Sequence, residues 1–149
     1  MRFHHVGTPF FVLAGWRGNQ EQPQAGRVEK VAFRNIVGDD VTETWGSAIS
    51  GTQVAGHDYR IYDVTFENVQ VAFKGGLSVM PSVPPEYHGQ YPDPNQLNQP
   101  AQGNLPASGL YFRHVKRVSI APNCSFGLVP GQADVRPLID HSDDANGNF

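Results

Sequence analysis

The chain has 149 residues, a mass of 16.3 kDa, and 11 Lys plus Arg against 14 Asp plus Glu, for a formal net charge of −3. That length suits one domain, and the charge supplies no clustered positive surface for a nucleic-acid backbone or an anionic membrane. Hydrophobic residues at 39% are too many for a disordered chain, 16 Gly and 12 Pro favour turns and short strands over helices, and the single Cys124 excludes an intrachain disulfide or a thiolate zinc cluster.

In chain order, the first element is the phrase Phe3-His4-His5-Val6. The apolar run Phe10 to Ala14 follows, far too short to span a bilayer. The amino terminus has no charged-then-apolar leader pattern. After the turn residues Gly15, Gly18-Asn19 and Gly26 the phrase returns as Val31-Ala32-Phe33-Arg34-Asn35-Ile36, and again as Val64-Thr65-Phe66-Glu67-Asn68-Val69. Each copy alternates apolar and polar residues, the strand period, with Ile61, Val64 and Phe66 expected inward and Asp63, Thr65 and Glu67 outward. Residues 81–106 hold seven of the twelve prolines and read as a surface excursion, since proline this dense cannot join a ladder. The phrase resumes as Phe112-Arg113-His114-Val115, with a looser copy at Val118-Ser119-Ile120 before Asn123, and residues 140–149 read as a frayed polar tail.

Strand phrases at intervals of about thirty residues, separated by turns, are what a β-solenoid needs, because no single coil buries its own apolar face. The expected fold is all-β: a short right-handed single-stranded parallel β-helix of about four or five coils, forming one domain with the Pro-rich loop thrown out from it. The recurring Asn35 and Asn68, with His5 and His114 at the same place in their phrases, suggest one column in which stacked amides hydrogen-bond from coil to coil.

The run Ile49-Ser50-Gly51, Gly56-His57, Asp63 through Val69, and Lys74-Gly75-Gly76 resembles bacterial polygalacturonase-like enzymes of glycoside hydrolase family 28. So do Glu86-Tyr87, Tyr91-Pro92 and Leu105-Pro106-Ala107-Ser108-Gly109-Leu110-Tyr111-Phe112-Arg113-His114-Val115, and together these segments match the carboxy-terminal part of such proteins. The resemblance implies a right-handed parallel β-helix and inverting hydrolysis of pectic polysaccharides, in which two carboxyl groups stand apart to admit water. It implies a secreted or periplasmic parent, and no cofactor. Family members carry Asn-Thr-Asp, Asp-Asp, Gly-His-Gly and Arg-Ile-Lys motifs upstream; this sequence has neither Asn-Thr-Asp nor Arg-Ile-Lys. Met1 falls inside a phrase, as expected of a chain without the family's amino-terminal coils.

Two readings of the chemistry stand side by side. Gly38-Asp39-Asp40 and Gly56-His57 follow the family order, so Asp39 and Asp40 are the candidate acid and base with His57 assisting. Alternatively, Gly38-Asp39-Asp40 is a turn that ends a strand at Val37. Trp16, Tyr87 and Tyr91 offer rings to sugar faces and Arg113 a fork for a uronate carboxylate, or the rings cover the core, the fate expected of Trp45. No His pair among His4, His5, His57, His88, His114 and His141 has metal-site spacing, and Asp140, Ser142 and Asp144 lack the glycine and closing glutamate of a calcium loop. The expected partner is a polysaccharide, as substrate of a hydrolase or as ligand of a non-catalytic binding or assembly module. Open solenoid ends predict a homo-oligomer.

Overall fold

The computed structural model describes residues 1–14, 26–54, 56–84 and 104–141. They form strands β1 (Arg2–Val6), β2 (Phe11–Leu13), β3 (Val28–Val41), β4 (Ser47–Ser50), β5 (Thr52–Val54), β6 (His57–Tyr59), β7 (Ile61–Phe73), β8 (Leu110–Arg113), β9 (Val115–Ile120), β10 (Ser125–Leu128) and β11 (Ile139–Asp140). Two parallel sheets take almost all of them. One has the order β1-β3-β7-β10, with β9 also on β7; the other has the order β11-β8-β4-β2. Each successive pass of the chain adds a strand to each sheet. Strands β5 and β6 pair antiparallel as a hairpin.

The long strands bend at residues with positive φ. In β3 these are Lys30, Asn35 and Asp40, and in β7 they are Asp63 and Asn68. The left-handed region costs least for Asn and Asp among residues with a side chain, which explains four of these five choices. At each bend the inward–outward alternation restarts. Val28, Val31, Phe33, Ile36, Gly38 and Val41 therefore point inward from β3, and Ile61, Val64, Phe66, Val69, Val71 and Phe73 from β7. The bends stack in register: Lys30 over Asp63 and Arg117, Asn35 over Asn68, and His5 over Asp40.

The core is filled by this inward set. Ile61, Val64, Phe66 and Val69 are fully enclosed. The Phe33 and Phe66 rings stack at 4.9 Å, and Phe10, Phe112 and Phe126 meet Phe66 edge-on. Such pairs add about 0.5–1.5 kcal/mol each beyond the area they bury. Asn68 Nδ2 donates to Asn35 Oδ1 at 2.8 Å, and the Asn68 backbone N–H donates to Asn123 Oδ1 at 3.0 Å, so the amide column runs through three passes.

Four sequence expectations need correction. The segment Gly38-Asp39-Asp40 is not a turn after Val37; it continues β3, and Gly38 points inward, where a Cβ would overlap the Phe3 ring. The phrase common to residues 3–6, 33–36, 66–69 and 112–115 does not mark one column. Phe33 pairs with Phe66, but Phe3 pairs with Gly38 and Phe112 with Ile49 in the other sheet. It marks a local rule, an inward ring followed by a bend, so His5 and His114 lie outside the asparagine column. The Pro-rich excursion ends sooner than residue 106, since Leu105 and Pro106 are already buried. Asp140 belongs to no frayed tail: Ile139–Asp140 pairs with Leu110–Tyr111.

Candidate functional site

Asp39 faces outward because its neighbour Gly38 faces in, and Asp40 takes the bend with φ 55. The same logic on β1 sends Arg2 and His4 outward and puts His5 in the bend with φ 59. Register then sets His4 beside Asp39 and Arg2 beside Val37. The result is an exposed polar row. Arg2 Nη2 donates to Asp39 Oδ2 at 2.8 Å, and His4 Nδ1 lies 2.9 Å from Asp39 Oδ1. His5 Nδ1 lies 2.9 Å from Asp40 Oδ2, with His4 Nε2 at 3.7 Å from the same oxygen.

Hydrogen bonds from Arg2 and then His4 hold the Asp39 carboxyl below its ordinary range, against a smaller opposing effect of burial. A general acid needs the opposite, a carboxyl kept protonated near working pH. Asp39 is the anionic half of an exposed ion pair with Arg2. The two carboxylates are partnered by β1, and His57 stands elsewhere, exposed on β6 with its ring 6.4 Å from Tyr59. The structure therefore does not assemble Asp39, Asp40 and His57 into one constellation. Among the described residues no group of three or more His, Cys, Asp or Glu side chains is arranged to hold a metal ion.

Arg113 also departs from expectation. It is 8% exposed and its Nη1 donates to the Pro84 carbonyl at 2.8 Å, which ties β8 to the start of the Pro-rich excursion rather than offering a fork to solvent. Trp16, Tyr87 and Tyr91 lie outside the described residues. Trp45 is half-buried, its ring against Gly7.

Sequence reasoning missed two polar groupings. Asp58 on β6 meets His114 Nδ1 at 3.0 Å through Oδ1 and Arg60 Nη2 at 2.6 Å through Oδ2, with the His114 and Arg60 side chains shielded and Asp58 at the more exposed rim. Gly51 permits this approach, since a Cβ there would meet the Tyr59 and His114 carbonyls. A carboxylate that holds an imidazole in one orientation is a familiar way to fix a tautomer. The second grouping is Asp134 with Arg136, side chains wholly buried, Nη2 to Oδ2 at 2.8 Å. Arg136 Nη1 also donates to the Leu105 and Ala107 carbonyls, and Asp134 accepts from the Leu77 N–H at 3.1 Å. Both roots of the Pro-rich excursion are thus gripped by one ion pair. Only the spacing Asp-x-Arg was visible beforehand, and nothing local marks it as buried.

A third arrangement is the outer face of the β3-β7-β9 ladder. Ala32, Thr65 and Ser119 form an in-register column of small residues, beside Glu29, Tyr62 and Lys116 on one flank. Arg34 bonds Glu67 at 3.1 Å on the other flank. Arg117 grips Asp63 through Nε and Nη2 and lies 5.1 Å from the Tyr62 ring centre; its hydrogen bond chiefly keeps the Asp63 carboxyl below the ordinary range.

Compared with known protein families, with curated proteins and with solved structures, the chain matches none.

Proposed function

We propose that these strands are coils of a right-handed single-stranded parallel β-helix of the polygalacturonase type, and that the chain binds a pectic or related plant polysaccharide without cleaving it. Successive parallel strands added in chain order to two sheets, and an amide column carried from pass to pass, support the β-helix. The family resemblance supports the polysaccharide. Regular spacing supports a linear ligand: the outer face sets Ala32, Thr65 and Ser119 in one column and Glu29, Tyr62 and Lys116 in the next, on strands about 4.8 Å apart.

The observation that favours binding over hydrolysis is that both carboxylates are taken up by side chains of β1, Asp39 by Arg2 and His4 and Asp40 by His5. His57, on β6, is not part of that row.

The test is reducing-sugar release from a panel of pectic and hemicellulosic polysaccharides, run beside affinity electrophoresis in gels containing the same polymers. The expected result is no release, retardation by at least one polymer, and loss of retardation in Tyr87→Ala with Tyr91→Ala. Release that Asp39→Asn or Asp40→Asn abolishes would overturn the non-catalytic reading in favour of a hydrolase. Neither release nor retardation on any polymer would overturn the polysaccharide reading itself.

A further inference from the structure

We propose that Asp58 is the acceptor at which the chain holds the vicinal hydroxyls of a neutral pyranose, with His114 and Arg60 as positioning residues that fix its carboxylate. The ligand class rests on the polysaccharide reading above; the geometry of the site does not.

The site arises at an uneven corner between the two sheets. Ser50 pairs with Arg113 and Ile61 with Val115, so two neighbouring passes enter and leave this corner side by side. One pass spends residues 51–60 there, and the next spends His114 alone, turning at φ 47. The ladder closes on both sides of the corner: the Gly51 N–H donates to the Arg113 carbonyl at 2.8 Å and the Ile61 N–H to the His114 carbonyl at 2.9 Å. The extra residues must therefore leave the coil, and they do so as the β5–β6 hairpin, with His114 as the step at its foot. Antiparallel register sets Gln53 opposite Asp58 and Thr52 opposite Tyr59, so Gln53 and Asp58 share one hairpin face. Asp58 reaches His114, which makes this the face over the step. Gln53 and Asp58 are exposed there, whereas Thr52 on the other face is buried.

Each oxygen of the Asp58 carboxylate is held once, Oδ1 by His114 Nδ1 at 3.0 Å and Oδ2 by Arg60 Nη2 at 2.6 Å. An ionised carboxylate has about four lone-pair sites, so each oxygen keeps one for a second donor. The Asp58 side chain is 29% exposed against 11% for His114 and 18% for Arg60, so the carboxylate stands at the rim and its two holders lie behind it. A side chain fixed from both oxygens loses little freedom when a ligand arrives. Two adjacent acceptors on one planar group suit two adjacent hydroxyl donors, and hydrogen bonds to an anion are the strong ones. Because the group at the rim is the anion, a neutral sugar is favoured over a uronate, whose carboxylate brings like charge to Asp58. Gln53, beside Asp58 on the same face, supplies a neighbouring amide.

The experiment is affinity electrophoresis of the whole chain in gels of a neutral pectic galactan and of polygalacturonate, with the fold of each variant checked by circular dichroism and melting. Wild type is expected to be retarded more by the galactan. Asp58→Asn is expected to weaken galactan binding about tenfold, since it removes a charge-assisted acceptor. Gln53→Ala is expected to weaken it less, and its exposed position keeps the site testable if Asp58→Asn does not fold. His114→Ala is expected to weaken binding and His114→Asn to restore it, because the asparagine amide also donates and tolerates the left-handed turn. Folded Asp58→Asn or Gln53→Ala that binds as wild type does, or a His114→Asn no better than His114→Ala, would overturn this site. The polysaccharide reading then stands on its own test with Tyr87→Ala and Tyr91→Ala. Stronger retardation by polygalacturonate would overturn the neutral-sugar assignment, and no retardation of wild type by any polymer would overturn both readings.

Discussion

Two guanidinium–carboxylate pairs, Arg2–Asp39 and Arg136–Asp134, have the same 2.8 Å contact and opposite surroundings. The first stands in water, with side chains 73% and 44% exposed; the second has both side chains at 0%. In water the attraction is screened and each partner is almost as well solvated alone. In the interior, loss of either partner strands a charge. The sequence motif drew attention to Asp39 in the first pair, but the energetic dependence lies in the second, which joins Leu77, Leu105 and Ala107 around the base of the excursion. Chemical identity alone does not say which pair matters.

The largest effect expected is for Arg136→Ala, which should lower stability by about 3–5 kcal/mol in urea or guanidinium unfolding, because Asp134 and two carbonyls lose their partner in a dry site. A loss under 1 kcal/mol, roughly what a surface pair contributes, would erase the contrast between the two pairs. Next comes Gly38→Ala. A Cβ there collides with the Phe3 ring, and overpacking of this kind costs about 1–3 kcal/mol. That loss would show that ring packing, rather than the ion pairs above it, secures β1 to β3.

The pH dependence sharpens the contrast further. Burial pushes the Asp134 carboxyl up, but hydrogen bonds from Arg136 and Leu77 outweigh it, and the folded carboxyl titrates below its ordinary value. A carboxyl lowered on folding contributes stability that is complete above the unfolded pKa of about 4 and is lost as pH falls below it. Wild type should therefore lose stability on acidification below about pH 4. Asp134→Asn should start less stable and lose less over that window, as read by denaturant midpoints at each pH. Asp39 is lowered too, by Arg2 first and then His4, so its sign is the same, but exposure leaves its share small. The smallest expected effect is Asp39→Asn at neutral pH, with a melting temperature indistinguishable from wild type. A clear drop there would mean the exposed row holds β1 in place.

Some of this was legible in advance. Alternation at Ile61, Val64 and Phe66 predicted which side chains face in, and the longer matching phrases predicted that residues 31–36 lie on residues 64–69 with Asn35 on Asn68. Those features depend on nearest neighbours along the chain and on one well-matched repeat. The candidate site was less legible. Asp39 and Asp40 were visible as a pair, but their partners Arg2, His4 and His5 come from another strand 35 or more residues away. His114 looked like a column residue by its phrase, yet its partner is Asp58, placed by a hairpin that Gly51 admits.

The sequence by itself determined the all-β character, the inward phase of Ile61, Val64 and Phe66, and the stacking of Asn35 on Asn68, because side-chain alternation is local and the two longer phrases match residue for residue. Tertiary structure alone decided that Phe3 fills the space of Gly38, that Arg113 turns inward to Pro84, and that Asp134 and Arg136 are sealed from water. Those outcomes depend on which distant segment arrives at a given place, and burial, which sets the strength of every charge pair, exists only once the passes have stacked.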